Sequence, residues 1–252
     1  MPDEPRAWQV VLESIERDLL HGRLRPGDHL PGERALSAAL GVGRSSVREA
    51  LRVLEVLGLI RTATGSGPNS GAIIVALPGG GMSALLRLQV AATGFAVADI
   101  VKTRLVLETA VAADLAEAFP RPQLTASVDL LNMMESHPYS QAEFLALDAQ
   151  FHLTLAEASG NQVIAATMAG LRTSIESYAR QGAASLASWS DTSARLMREH
   201  RGILAAIGSG DAALARTTVH SHISGYYAET NLPSPRSTEI PNMVPDAAPR
   251  GP

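Results

Sequence analysis

Four side chains in the second half of the chain have the right chemistry to hold a metal ion. Asp148 and His152 are four residues apart, so on a helix they share one face and can grip a single ion. Phe144, Phe151 and Leu155 lie on the same side, which turns the pair toward an interior or a cavity. His200 shares a face with Ile203, Leu204 and Ile207, and His222 shares one with Val219 and Tyr226. Three imidazoles and a carboxylate make an N/O donor set that suits tetrahedral or octahedral coordination with open positions. Each histidine also has a plainer reading, as a core residue satisfied by its own hydrogen bond, and Asp148 and His152 could simply bond to each other. Nothing in the sequence brings the three segments together. His220 points away from His222 toward the surface, and His21, His29 and His137 fall at helix ends or turns.

A second group lies near the amino end. Arg44, Arg48 and Arg52 follow at i, i+4, i+8, with Ser45 beside the first. Three guanidinium groups in one row fit an anionic partner. The plainer reading is a solvated helix face, paired with Glu49 and Glu55.

The elements that must carry these groups can be read from periodicity. Residues 7–21 form a helix with Trp8, Val11, Leu12, Ile15 and Leu19 on one face, and Gly22 ends it. Glu33 to Leu40 is a short helix turning Ala35, Leu36, Ala39 and Leu40 inward. Gly41 suits its C-terminus, and Gly43 is a weak N-cap for the next helix. That helix buries Val47, Ala50, Leu51 and Leu54, which leaves the arginine row outside. Two helices joined by a short glycine turn describe a helix-turn-helix whose second member enters the DNA major groove. Two β-prone runs, Leu59–Ala63 and Ala72–Ala76, flank a Gly/Ser-rich turn at 65–71, the hairpin of a wing.

Beyond Leu77-Pro-Gly-Gly-Gly81, read as a linker, the pattern is helical throughout: about 83–93, 97–119, 122–136, 140–158, 161–181, 191–208 and 211–229. The fold class expected is mainly α, a winged helix-turn-helix over 1–76 followed by an all-α bundle over 82–230. Residues 231–252 hold six prolines and are expected to be a disordered tail.

Composition sets further bounds. The 252 residues are 46% apolar, enough for one large or two ordinary domains, and contain no cysteine for a disulfide or thiolate site. The start, Met-Pro-Asp-Glu-Pro-Arg, is no signal peptide, and no apolar run approaches the ~18 residues of a membrane span. A cytoplasmic protein is expected. The net charge of −4 argues against nucleic acid only superficially. Residues 1–76 carry 9 arginines and 9 acids, whereas the remainder carries 12 basic residues and 16 acids. Local charge sets phosphate attraction, because salt screens beyond ~10 Å.

Leu30-Pro-Gly-Glu-Arg34, Gly41 to Leu51 and Leu57-Gly-Leu-Ile60 resemble the N-terminal domain of the GntR family of bacterial transcription regulators, over residues 8–76. The resemblance implies that Arg34, Arg44, Ser45, Ser46, Arg48 and the wing glycine, Gly65 or Gly67, face DNA; the wing tip departs in its length, with Pro68 and Asn69. Arg44 and Arg48 are expected to read guanine, and Arg34 and Arg52 to meet phosphate. Arg104-Leu-Val-Leu-Glu108, Asp148-Ala-Gln-Phe-His152, Ala158-Ser-Gly-Asn161 and Glu199-His200 through His222 resemble the FCD ligand-binding domain of the FadR subfamily, over residues 82–229. This implies a divalent ion, zinc before nickel or manganese, on Asp148, His152, His200 and His222. It also implies a small carboxylate effector completing the metal shell and meeting Arg104, with Asn161 beside it, although Glu108 is placed to engage Arg104 as an i, i+4 ion pair. The expectation is a homodimeric regulator, by default a repressor, on a pseudo-palindromic double-stranded operator. The alternatives are a metal-dependent hydrolase or lyase and a metal-free sensor. The enzyme lacks a placed base: Glu199 lies ~100° around its helix from His200.

Overall fold

The computed structural model describes residues 6–63, 71–75 and 78–230. Helix α1 (Ala7–Leu20), α2 (Glu33–Leu40) and α3 (Arg44–Val56) precede an antiparallel hairpin of β1 (Ile60–Ala63) and β2 (Gly71–Ile74), in register Ile60 with Ile74. Val11 and Ile15 of α1 pack with Leu36, Val47, Ala50, Leu54, Ile60 and Ile74 into one core. Gly41 takes φ +66°, the left-handed conformation that ends α2. Across the turn, the Ser37 hydroxyl donates to the Val42 carbonyl at 2.6 Å.

The inward face of α2 is narrower than expected: Leu36 is buried, Leu40 half-buried, and Ala35 and Ala39 are exposed. Small side chains tolerate exposure, so periodicity alone overcounts them. The hairpin also has a third partner. The Leu30 amide donates to the Ala72 carbonyl at 2.8 Å and the Ile74 amide to the Asp28 carbonyl at 2.9 Å. The sequence reading missed this pairing, because Arg25 to Asp28 has turn composition. The wing tip, with Gly65 and Gly67, and the tail at 231–252 lie outside the described residues.

Among the described residues seven helices follow: α4 (Pro78–Thr93), α5 (Val97–Glu117), α6 (Thr125–Ser136), α7 (Gln141–Ala158), α8 (Gln162–Ala183), α9 (Trp189–Ser209) and α10 (Ala212–Glu229). The linker expected at 77–81 is corrected from Pro78 onward, where α4 begins. Proline suits a first helical position, where its missing N–H costs no hydrogen bond. Gly81 lies hard against the end of α3, since a Cβ there would fall 1.7 Å from the Leu57 carbonyl oxygen. Ser140 and Glu143 cap α7 reciprocally, with the Ser140 amide donating to Glu143 at 2.9 Å. Asp211 caps α10 by accepting from the Leu214 amide at 2.9 Å. Helix α5 packs along α10, α7 against α8, and α4 against α8. Their shared core includes Leu131, Leu145, Phe151, Met168, Leu196, Ile203 and Val219. Among the described residues no helix is long and apolar enough to cross a membrane.

Candidate metal centre and DNA-facing helix

Three helices converge on the centre of the bundle. Helix α7 supplies Asp148 and His152, α9 supplies His200, and α10 supplies His222; all four are buried, and their donor atoms lie within 4.8 Å of one another. The segments that sequence could not connect are thus brought together by packing around Phe151, whose ring centroid is 4.5 Å from that of His200.

The hydrogen bonds orient the rings. His222 Nδ1 lies 2.8 Å from Glu199 Oε2, and His152 Nδ1 lies 2.5 Å from Glu108 Oε2, close but out of line for a hydrogen bond. If those Nδ1 atoms carry the ring protons, both Nε2 atoms present bare lone pairs, and these face each other at 3.1 Å. His200 Nε2 is 3.1 Å from Asp148 Oδ1, yet both atoms, and His200 Nδ1, are buried without a well-aligned partner. Buried polar groups are rarely left this way. A cation would satisfy Asp148 Oδ1 and one ring nitrogen of His200, so the donor set fits a divalent ion.

Electrostatics agree. Burial, with the neighbouring His200 and His152, pushes His222 down to about 4 despite the opposing Glu199 contact. Burial likewise lowers His200, so both rings are neutral and ligand-ready at neutral pH. Burial alone would raise the Asp148 carboxyl, but His200, His152 and His222 outweigh it and hold the group well below the usual carboxylate range.

Beside this cluster, Arg104 is buried on α5 and not at the surface. Its Nε donates to Glu108 Oε1 at 2.6 Å, and its Nη1 donates to the Tyr178 hydroxyl at 2.6 Å. Burial opposes ionisation of Glu108, but Arg104 and His152 bring its carboxyl down to about 2. Burial pushes the Tyr178 phenol up, which keeps it neutral. A small cavity touches Arg104, Asp148, Tyr178, His222 and Tyr226. Asn161, expected beside the effector, does not line it: the side chain is exposed and caps α8, accepting from the Val163 and Ile164 amides at 3.2 Å. A helix-capping Asn and a ligand-binding Asn look alike in sequence. Glu199 and Tyr178 were missed as site residues. Neither has a sequence signal, because each reaches the site from a different helix than the group it touches.

On the other domain, Arg34, Arg44, Ser45, Arg48 and Arg52 are exposed and Ser46 is half-buried. The acid near the row is Glu33, 3.7 Å from Arg44 and 3.9 Å from Arg48, and not Glu49 or Glu55. Such exposed pairs are weak and yield readily to phosphate. Glu55 instead accepts from the Thr62 amide at 3.1 Å, tying α3 to the wing.

Two family profiles match the chain: bacterial regulatory proteins, gntR family, over residues 8–68, and the FCD domain over residues 99–225. The chain is 32% identical over 168 residues to the HTH-type transcriptional repressor NanR of Klebsiella aerogenes, a match covering 65% of this chain and 62% of that protein. It therefore spans less than two thirds of that repressor. It is 30% identical over 217 residues to the HTH-type transcriptional regulator LutR of Bacillus subtilis strain 168, covering 83% of this chain and 97% of that one. A solved structure of Streptococcus agalactiae GntR aligns with a TM-score of 0.57 at 23% identity, over 88% of this chain and 100% of that chain, which supports the fold.

Proposed function

The chain belongs to the gntR family of bacterial regulatory proteins and carries an FCD domain, and on that premise we propose that it is a homodimeric, metal-dependent repressor responding to a small carboxylate. The family consists of transcription regulators, so the expectation of a DNA-binding, ligand-responsive protein and not an enzyme is met. What carries the finer reading is one observation: four buried donors lie within 4.8 Å of one another, atoms of Asp148, His152 and His200 among them have no aligned partner, and Asp148 and His222 line a small cavity with the buried Arg104. Asp148, His152, His200 and His222 would hold a divalent ion, with zinc favoured by three imidazoles and one carboxylate. Bound there, the ion would supply a Lewis-acid site for a carboxylate. Glu199 would orient His222, and Glu108 would orient both His152 and Arg104.

Arg44 and Arg48 would read guanine edges in the major groove, with Ser45 and Ser46 alongside, and Arg34 and Arg52 would neutralise phosphates. The wing glycines Gly65 and Gly67 would approach the DNA backbone. A two-fold dimer would then require a pseudo-palindromic operator. Cytoplasmic placement follows from that target. For switching, α4 connects the halves: it packs on α8 and its Gly81 abuts the Leu57 carbonyl at the end of α3. Effector binding can shift this arrangement only by its difference in affinity for the two states.

Elemental analysis and gel shift test this together. Purified protein should hold about one divalent ion per chain, and His200→Ala should lose it. The upstream intergenic DNA should be bound by the wild type and released on adding the correct acid. Full metal retention in His200→Ala would remove that residue from the site, and tighter DNA binding with the acid would reverse the sign of regulation.

A further inference from the structure

We propose that Tyr178 is a latch, walling the metal-side cavity from an outer groove and holding Arg104 until an effector carboxylate entering by the groove replaces it. This rests on the carboxylate-sensing reading above. Two spaces meet at this residue, which lines both of them. The inner one, against Arg104, Asp148 and His222, offers about 10 Å³, roughly room for a single water. The outer groove, between α4, the start of α5 and α8, offers about 730 Å³, within the range of small-molecule sites. One wall of the groove is apolar, with Leu88, Phe95 and Ile100, while the α8 side carries Thr173, Ser174 and Ser177. No organic acid fits the inner space as it stands, so a side chain must move to admit one. Tyr178 is the wall common to both.

The same residue sets the state of Arg104. Glu108 takes Nε at 2.6 Å and Nη2 at 3.5 Å, and the Tyr178 hydroxyl takes Nη1 at 2.6 Å. The phenol is a neutral acceptor. A carboxylate is a charged one, and guanidinium binds it more strongly and can do so at two points. An entering carboxylate therefore exchanges for the phenol on Nη1 while its other oxygen is left for the metal, and the ring swings toward the groove. The latch selects for charge at the gate: a neutral molecule of equal size gains nothing at Arg104 to offset the lost hydrogen bond.

The probe is acetate, titrated into protein loaded with cobalt(II), whose visible absorption bands respond when a carboxylate enters the metal shell. Tyr178→Phe keeps the ring and deletes the competing hydroxyl, so acetate should bind about tenfold more tightly than to wild type, the scale of one hydrogen bond to a charged group. Tyr178→Leu, which also trims the wall, should tighten acetate at least as much. Tyr227→Phe is the control, since its buried hydroxyl has no hydrogen-bond partner among the described residues, Arg104 included, and it should match wild type. Unchanged or weaker acetate binding in both Tyr178 variants would overturn the latch, as would equal tightening in Tyr227→Phe or a spectrum indifferent to acetate. Cobalt uptake separates failure of the metal site from failure of the latch. If wild type takes up none, the metal reading fails and the latch falls with it; if uptake is normal and acetate affinity does not change, the latch alone fails.

Discussion

The Nε2 atoms of His152 and His222 face each other across 3.1 Å at the buried centre of the helical domain. Behind them, Glu108 and Glu199 stand against the two Nδ1 atoms. With the ring protons on Nδ1, the carboxylates are outside and the lone pairs inside, which is the polarity of a cation site. The same arrangement is a liability without the cation, and both consequences can be measured.

Replacing Glu199 by Gln keeps the size of the group that orients His222 but removes its charge. Metal affinity, followed by competition with a chromogenic chelator, should fall about 10- to 100-fold while the circular dichroism spectrum is unchanged. Wild-type affinity would show that Glu199 does not support the site.

Metal-free protein should lose stability as pH falls from about 6.5 to about 4. An unfolded chain protonates His222 near 6.5, whereas the folded protein resists until about 4. In that window the unfolded state binds more protons, so stability falls with pH. His200 is shifted in the same direction and adds to the loss. The His222 shift alone corresponds to roughly 3 kcal/mol at most. Urea midpoints of chelator-treated protein at pH 7.5 and pH 4.5 should therefore differ clearly. Equal midpoints would mean the buried rings titrate like free histidine.

Arg48→Ala and Arg52→Ala should separate base reading from phosphate attraction. The first should relax sequence preference, with a cost of ~1–3 kcal/mol at one base pair. The second should weaken binding to all sequences alike and reduce the salt slope by about one. Gel shifts at several salt concentrations, on operator and scrambled DNA, distinguish these outcomes. If Arg48→Ala weakens both DNAs equally, Arg48 is a phosphate contact.

Gly170→Ala tests the contact that carries α4 on α8. An added Cβ would fall 2.7 Å from Leu86 Cδ2, so overpacking should cost ~1–3 kcal/mol in urea unfolding. A stability equal to wild type would mean that α4 can shift on α8 without cost.

Much of this protein was legible in one dimension. Local chemistry fixed the helix boundaries: Gly41 at a positive φ, the Ser140–Glu143 box and the Asp211 cap work within a few residues and leave a readable mark. So did the arginine row, because helical spacing alone puts Arg44, Arg48 and Arg52 on one side. Asp148 and His152 share a helix face for the same reason. Tertiary structure decided the rest. Whether His200 and His222 join that pair depends on how α7, α9 and α10 pack, and packing acts between residues 48 to 74 positions apart, with no local trace. Only packing turned Arg104 from a surface ion pair into a buried charge held by Glu108 and Tyr178, made Glu199 a partner of His222, and set Gly81 against Leu57. Residue types state which bonds a side chain is able to make; the cost of burying it unpaired, set by the assembled core, selects the ones it keeps.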